Sequence, residues 1–268
     1  MKITSDFHLH TSFSEDSQAP MESMILSAMH QGLKAICFTE HLDMDYPPEY
    51  GTFAVDLEAY TEELFRLQSL YQKDIEILLG IELGMQPHLP ERCLEITERY
   101  PFDFVIASQH LLDGTDPYFP EFWESRREQE GYEAYFSQLL ANLKAMKSYD
   151  TLGHLDYIVR YGPNKNQHYS YEAFASYIDP ILQFLIEQHK CLEVNTAGLK
   201  YGLGHPNPEE SVLKRYREMG GTLITIGSDA HRPEHIAYDF DKLENILKEL
   251  GFRSYTIFRQ RKPVQIAL

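Results

Sequence analysis

Short apolar runs alternate along this chain with longer segments whose apolar positions recur at helical spacing. Residues 3–8, 35–39, 75–81, 104–107, 151–154, 191–195 and 223–227 are rich in β-branched or aromatic side chains, which predicts strands. Residues 20–31, 55–72, 90–100, 131–149, 171–189, 208–219 and 241–250 predict helices. Local chemistry supports several ends. Gly32 and Gly220-Gly221 suit left-handed helix stops. Pro20 and Pro208 suit a first helical turn, and Asp56 and Ser170 suit N-caps. The longest irregular stretch, 109–130, holds Pro117, Pro120 and several aromatics, and ordered loops of that kind often cover active sites.

Strand followed by helix, about seven times over with no break in composition, predicts an α/β fold built on a parallel sheet. A closed or nearly closed barrel, with residues 1–268 as a single domain, fits better than two domains. An open doubly wound sheet is the alternative.

The polar residues fall on this map in a pattern. His8 and His10 end the first strand, Glu40 and His41 follow the second, and Glu82 follows the third. His110 follows the fourth, His154 ends the fifth, Asn195 ends the sixth, and Asp229 and His231 follow the seventh. In a parallel barrel all strand ends share one rim, so these distant residues converge on one cavity. His8-x-His10 and Asp229-x-His231 each place two side chains on one face of an extended segment. Imidazole and carboxylate are ligands for Zn²⁺, Fe²⁺ and Mn²⁺. There are more of them than the roughly four to six that one ion takes. Two or three ions sharing a bridging carboxylate are therefore expected.

Each piece alone has a plainer reading. A lone His-x-His or Glu-His pair is as often structural, and only the convergence carries weight. His30 and His189 fall at helix ends, where they complement the dipole, and His88 and His168 lie in polar loops. His205 and His235 follow strand-end motifs and are candidates for substrate contact. Asn195 either orients a ligand or caps the next loop.

Charge narrows the partners. The formal net charge of −17 repels nucleic acids and acidic membranes, and the densest basic stretch, 253–262, is short. No nucleic-acid or membrane partner is expected. Three scattered cysteines, Cys37, Cys93 and Cys191, predict buried free thiols in a reducing cytoplasm. Neither a signal peptide nor a transmembrane run is visible, and nothing reports on oligomeric state.

Read together, Asp6-Phe7-His8-Leu9-His10-Thr11 with Asp16, Thr39-Glu40-His41, Gly80-Ile81-Glu82, Ser108-Gln109-His110, Gly153-His154-Leu155-Asp156 and Ser228-Asp229-Ala230-His231 resemble the polymerase-and-histidinol-phosphatase (PHP) family. The motifs run in order from residue 6 to residue 231. The resemblance implies a distorted, TIM-like (β/α)7 barrel with a trinuclear metal site at the C-terminal ends of the strands. His8, His10, Glu82 and Asp229 would hold one ion. Glu82, as bridge, would hold the second with His110 and His154, and Asp16, His41 and His231 would hold the third. Zinc, iron and manganese all suit that set.

The implied activity is phosphomonoester hydrolysis on a small molecule, L-histidinol phosphate. The alternatives are another small phosphate ester, such as a nucleotide, or protein phosphotyrosine. A nuclease fits poorly with the acidity, and a non-catalytic metal module would be expected to have lost a ligand. Glu82, Asp229 and His231 are the catalytic candidates, the last two as proton donors to the leaving oxygen. Arg160 is the favoured phosphate clamp, since its planar fork matches phosphate oxygens, with Lys200 and Arg232 behind it. Asp43, Glu121, Phe119, Phe122 and Trp123 are candidates for contacts with an amine and an imidazole.

Overall fold

A computed structural model describes residues 3–268. Its frame is eight strands: β1 (Ser5–Leu9), β2 (Ala35–Phe38), β3 (His41–Leu42), β4 (Glu76–Gly84), β5 (Phe104–Ser108), β6 (Thr151–Leu152), β7 (Cys191–Asn195) and β8 (Ile224–Gly227). They pair in parallel in the order β1-β2-β4-β5-β6-β7-β8, with the short β3 continuing beside β4. The segment after β8 returns to β1. The Asp229 N–H donates to the His8 carbonyl at 2.9 Å, and the His10 N–H donates to the Ala230 carbonyl at 2.9 Å. The sheet is thus a nearly closed, distorted barrel of seven parallel positions, and the open-sheet alternative falls away.

β1, β2 and β5 to β8 are buried along their whole length, because side chains on one face fill the barrel and those on the other meet helices. The helices Met21–His30, Leu57–Tyr71, Pro90–Arg99, Glu128–Ala145, Tyr171–Glu187, Glu210–Glu218 and Phe240–Glu249 form the outer ring. The Asp56 carboxylate accepts the N–H groups of Glu58 and Ala59, and the Ser170 hydroxyl accepts that of Ala173. Gly32 and Gly220 follow helices with φ of 80° and 96°, the left-handed turn that glycine adopts without a Cβ clash.

The differences from expectation have physical causes. Pro208 does not open a helix. Asn207 before it is held by backbone hydrogen bonds to Asn195 and by its side chain to Asp156, so the helix begins at Glu210. The helix expected from residue 131 begins at Glu128, where the Glu130 carboxylate accepts the Arg127 N–H. Within the irregular stretch lies a short helix, Pro120–Glu124.

A C-terminal hairpin was not anticipated: β9 (Ser254–Arg259) and β10 (Lys262–Ala267), antiparallel. It closes the N-terminal end of the barrel. Arg259 pairs with Glu76 at 2.5 Å and Arg261 with Asp150 at 2.5 Å, while the Gln260 N–H donates to Asp103 at 2.8 Å. Two cations of the basic stretch, Arg259 and Arg261, therefore serve carboxylates at the starts of strands. Among the described residues, no helix is long and apolar enough to cross a membrane.

Candidate metal centre

The opposite end of the barrel gathers the histidines. β1 carries His8, with His10 one step beyond it, and the β3–β4 register sets His41 beside Glu82. β4 runs two residues past Glu82, so this carboxylate projects from within a strand and is held rigidly. It sits at the centre. Glu82 Oε2 lies 3.3 Å from His8 Nε2, 3.5 Å from His10 Nε2 and 2.9 Å from His41 Nδ1. Its Oε1 lies 3.0 Å from His154 Nε2 and 3.3 Å from His110 Nε2. Asp229 Oδ1 is 3.8 Å from His8 Nε2 and 3.6 Å from His10 Nε2. On the outer side, Asp16 Oδ2 is 3.0 Å from His231 Nε2 and 3.7 Å from His41 Nε2.

These spacings suit ligands of shared cations. Two atoms each about 2.1 Å from a tetrahedral ion lie about 3.4 Å apart. His8 Nε2, His10 Nε2, His41 Nδ1, Glu82 Oε2 and His231 Nε2 are buried without a hydrogen-bond partner. Buried polar atoms in that condition are costly, and a cation is the partner that would satisfy imidazole lone pairs and carboxylates together. Burial by itself would raise the Glu82 and Asp229 pKa values. The surrounding histidines, and Arg160 beside Asp229, outweigh it and hold both carboxyls well below the usual range. Both therefore remain anionic. The residues fit divalent metal ions, and several groups of three have ligand atoms within 4.8 Å of one another.

A supporting layer aims the rings. His8 Nδ1 meets Glu193 at 2.5 Å, His10 Nδ1 meets the Ser14 hydroxyl at 3.2 Å, and His110 Nδ1 meets Asp43 at 2.8 Å. His231 Nδ1 faces the Asp229 carbonyl at 3.0 Å. A proton held on Nδ1 leaves the Nε2 lone pair pointing inward, which is the tautomer a metal needs. Glu40, by contrast, turns away and binds Thr11 and Ser14.

Sequence reasoning missed Glu193 and Asp6. Glu193 orients His8, and its other oxygen accepts the His154 N–H at 2.7 Å. Asp6 accepts the N–H groups of Ser228 and Ala237, pinning the segment that bears Asp229 and His231, and burial lifts its carboxyl to about 6. The available signal was a carboxylate inside an apolar strand run, which must find a partner when buried.

Gly227 explains the close fit of this layer. A Cβ there would sit 2.3 Å from His8 Cβ and 2.7 Å from Glu193 Oε1. Gly227→Ala should cost roughly 1–3 kcal/mol by overpacking and should displace His8. Thermal melting and metal content report this, and unchanged values for both would refute it.

Above the centre opens a cavity of about 790 Å³. Arg160, Lys200, Arg232 and Asp43 line it, as do His235 and Phe119. Arg160 is buried in the short turn Tyr157–Arg160, and its guanidinium donates to Asp229 at 2.9 Å, Asn207 at 2.8 Å and Asn195 at 3.2 Å. Lys200 donates to the Asp229 carbonyl at 2.9 Å.

Other sequence candidates lie elsewhere. Asn195 stands behind Arg160 and accepts the Ala197 N–H, so it braces the arginine and caps the next turn rather than facing the cavity. His205 is not in the cavity wall, and its Nδ1 faces the Pro206 carbonyl. The helix Pro120–Glu124 turns Glu121 to solvent and Phe122 into the core, while the Trp123 indole donates to the Pro117 carbonyl.

Known proteins resemble this chain in sequence and in fold. The chain is 36% identical over 249 residues to a probable histidinol-phosphatase of Clostridium acetobutylicum, covering 91% of each chain. It is 30% identical over 261 residues to the histidinol-phosphatase of Lactococcus lactis, covering 96% of this chain and 95% of that one. The crystal structure of histidinol phosphate phosphatase from Lactococcus lactis, complexed with zinc, L-histidinol and phosphate, superimposes with a TM-score of 0.89 at 29% identity, covering 97% of this chain and 98% of that one. The PHP domain family itself matches residues 6–197, which include every ligand candidate except Asp229 and His231. A barrel whose strand ends carry this histidine and carboxylate set, matched over most of its length, places the chain in the PHP family.

Proposed function

We propose that this chain, read as one barrel domain over residues 1–268, hydrolyses L-histidinol phosphate to L-histidinol and phosphate. The observation that carries the reading is the set of unpartnered imidazole and carboxylate atoms around Glu82, at the floor of a cavity with cationic side chains in its wall. The similarity to histidinol-phosphatases over nearly the whole chain supports the choice of substrate. Three buried free thiols fit the reducing cytoplasm in which such an enzyme would work.

His8, His10, Glu82 and Asp229, then Glu82, His110 and His154, then Asp16, His41 and His231 would hold two to three zinc, iron or manganese ions. Bound there, such ions supply charge neutralisation for a phosphate of about −1.5 to −2 and activate water near neutral pH. The chain's own residues do the rest. Arg160 receives phosphoryl oxygens on its fork, aided by Lys200 and Arg232. Arg160 and Lys200 are anchored before substrate arrives, so little reorganisation of these two opposes the transition state. His231, or Asp229 once it has taken a proton from the attacking water, gives a proton to the leaving alkoxide oxygen.

Elemental analysis with a phosphate-release assay on L-histidinol phosphate tests this. The expected result is about two to three metals per chain, with turnover lost on chelation. His10→Ala should lose metal and activity together. Metal-loaded protein that releases no phosphate from any ester would overturn the reading.

A further inference from the structure

The cavity has two chemically different ends. Four carboxylates line it: Asp16, Asp43, Asp116 and Asp229. Asp16 faces His41 and His231, Asp229 faces His8 and His10, and Asp43 holds His110. These three belong to the metal end.

Asp116 does not. It lies in the long loop over the barrel, is only 5% exposed, and forms no ion pair among the described residues. Its partners are neutral donors: the Tyr118 N–H at 2.8 Å, the Tyr46 hydroxyl at 2.7 Å and the Tyr157 hydroxyl at 3.3 Å. A carboxylate has about four acceptor sites, so these donors leave room for another. Burial pushes its carboxyl up, as expected for a charge whose counter-ion is missing.

The position gives the distance scale. The Tyr157 ring lies 5.2 Å from the His110 ring and 5.1 Å from the His154 ring, and the same residue's hydroxyl reaches Asp116. Asp116 is thus one tyrosine's length from the metal end. Between the two ends, aromatic surface lines the way: Tyr50 stacks on Phe119 at 4.0 Å, and Tyr46 lies 4.7 Å from Phe53. Such walls suit an organic cation, whose charge they tolerate.

We infer that Asp116 is a specificity-determining residue that accepts an N–H of a cationic nitrogen carried by the leaving alcohol. The inference rests on the phosphatase reading above and names the residue that would meet the ammonium or imidazolium of such a phosphomonoester, several bonds from phosphorus. The phosphate meets the cationic side of the cavity and the nitrogen meets Asp116. A nucleotide, which brings no cation to that end, would leave a buried carboxylate uncompensated and be turned over less efficiently.

The test compares 4-aminobutyl phosphate with butyl phosphate, which differ only in the ammonium. Holoenzyme should favour the amine by about tenfold or more in kcat/KM, as for one charge-assisted hydrogen bond. In Asp116→Asn with unchanged metal content, that ratio should fall towards one. A wild-type ratio near one overturns the inference by itself, even if the variant fails to fold. So does a variant that keeps the wild-type preference. Hydrolysis of both esters without preference sinks only this inference, whereas hydrolysis of no ester sinks the phosphatase reading.

Discussion

Glu82→Gln should yield a folded barrel that has lost more than one metal ion per chain and nearly all turnover. Five imidazole nitrogens from His8, His10, His41, His110 and His154 lie between 2.9 and 3.5 Å from its two oxygens. Glutamine keeps the shape but removes the negative charge. It also turns an N–H₂ group toward lone pairs or metal ions. Loss of a residue that only orients a ligand weakens metal binding by about 10–100-fold, and loss of the shared carboxylate should exceed that. Elemental analysis beside circular dichroism separates metal loss from unfolding. A folded variant with the wild-type metal content would remove Glu82 from the centre, and with it the bridging arrangement.

Arg160→Met should raise KM, lower kcat and lower Tm together. From the sequence alone, a phosphate clamp predicts mainly a KM effect. The structure adds a second role, since the guanidinium is buried against Asp229, Asn207 and Asn195. Removing one member of a buried ion pair costs roughly 3–5 kcal/mol in closed interiors. Here the pair lines an open cavity, so the lower end or less is expected in stability. Loss of a charged hydrogen bond to phosphate should cost about 10–100-fold in kcat/KM. Lysine should rescue poorly, because one ammonium cannot reproduce three anchored directions of a planar fork. Unchanged KM and unchanged melting would show that Arg160 neither meets substrate nor steadies Asp229.

Much of the barrel was legible because its strands are buried on both faces. Residues 104–107 and 191–195 read as strands from apolar and β-branched content, and the structure places β5 and β7 there with little or no change. Helix ends were legible where the cap lies next to the helix, as at Asp56 and Ser170. The hairpin β9–β10 was not. β10 is exposed along most of its length, and the hairpin's place depends on contacts of Arg259, Gln260 and Arg261 with Glu76, Asp103 and Asp150, far away in the chain. Pro208 misled for the same reason: its neighbour Asn207 answers to Asn195 and Asp156.

The order of strands and helices, and which imidazoles and carboxylates stand at strand ends, are readable from the residue pattern alone. Those features follow from short-range periodicity and from the shared direction of parallel strands. Long-range packing makes Glu82 the hub, lets Glu193 and Asp43 aim the rings, leaves Asn195 and His205 outside the cavity wall, and sets Asp116 at an aromatic recess with no counter-ion among the described residues. Contacts of this kind depend on which loops meet above the barrel, and no local pattern of residues encodes that meeting.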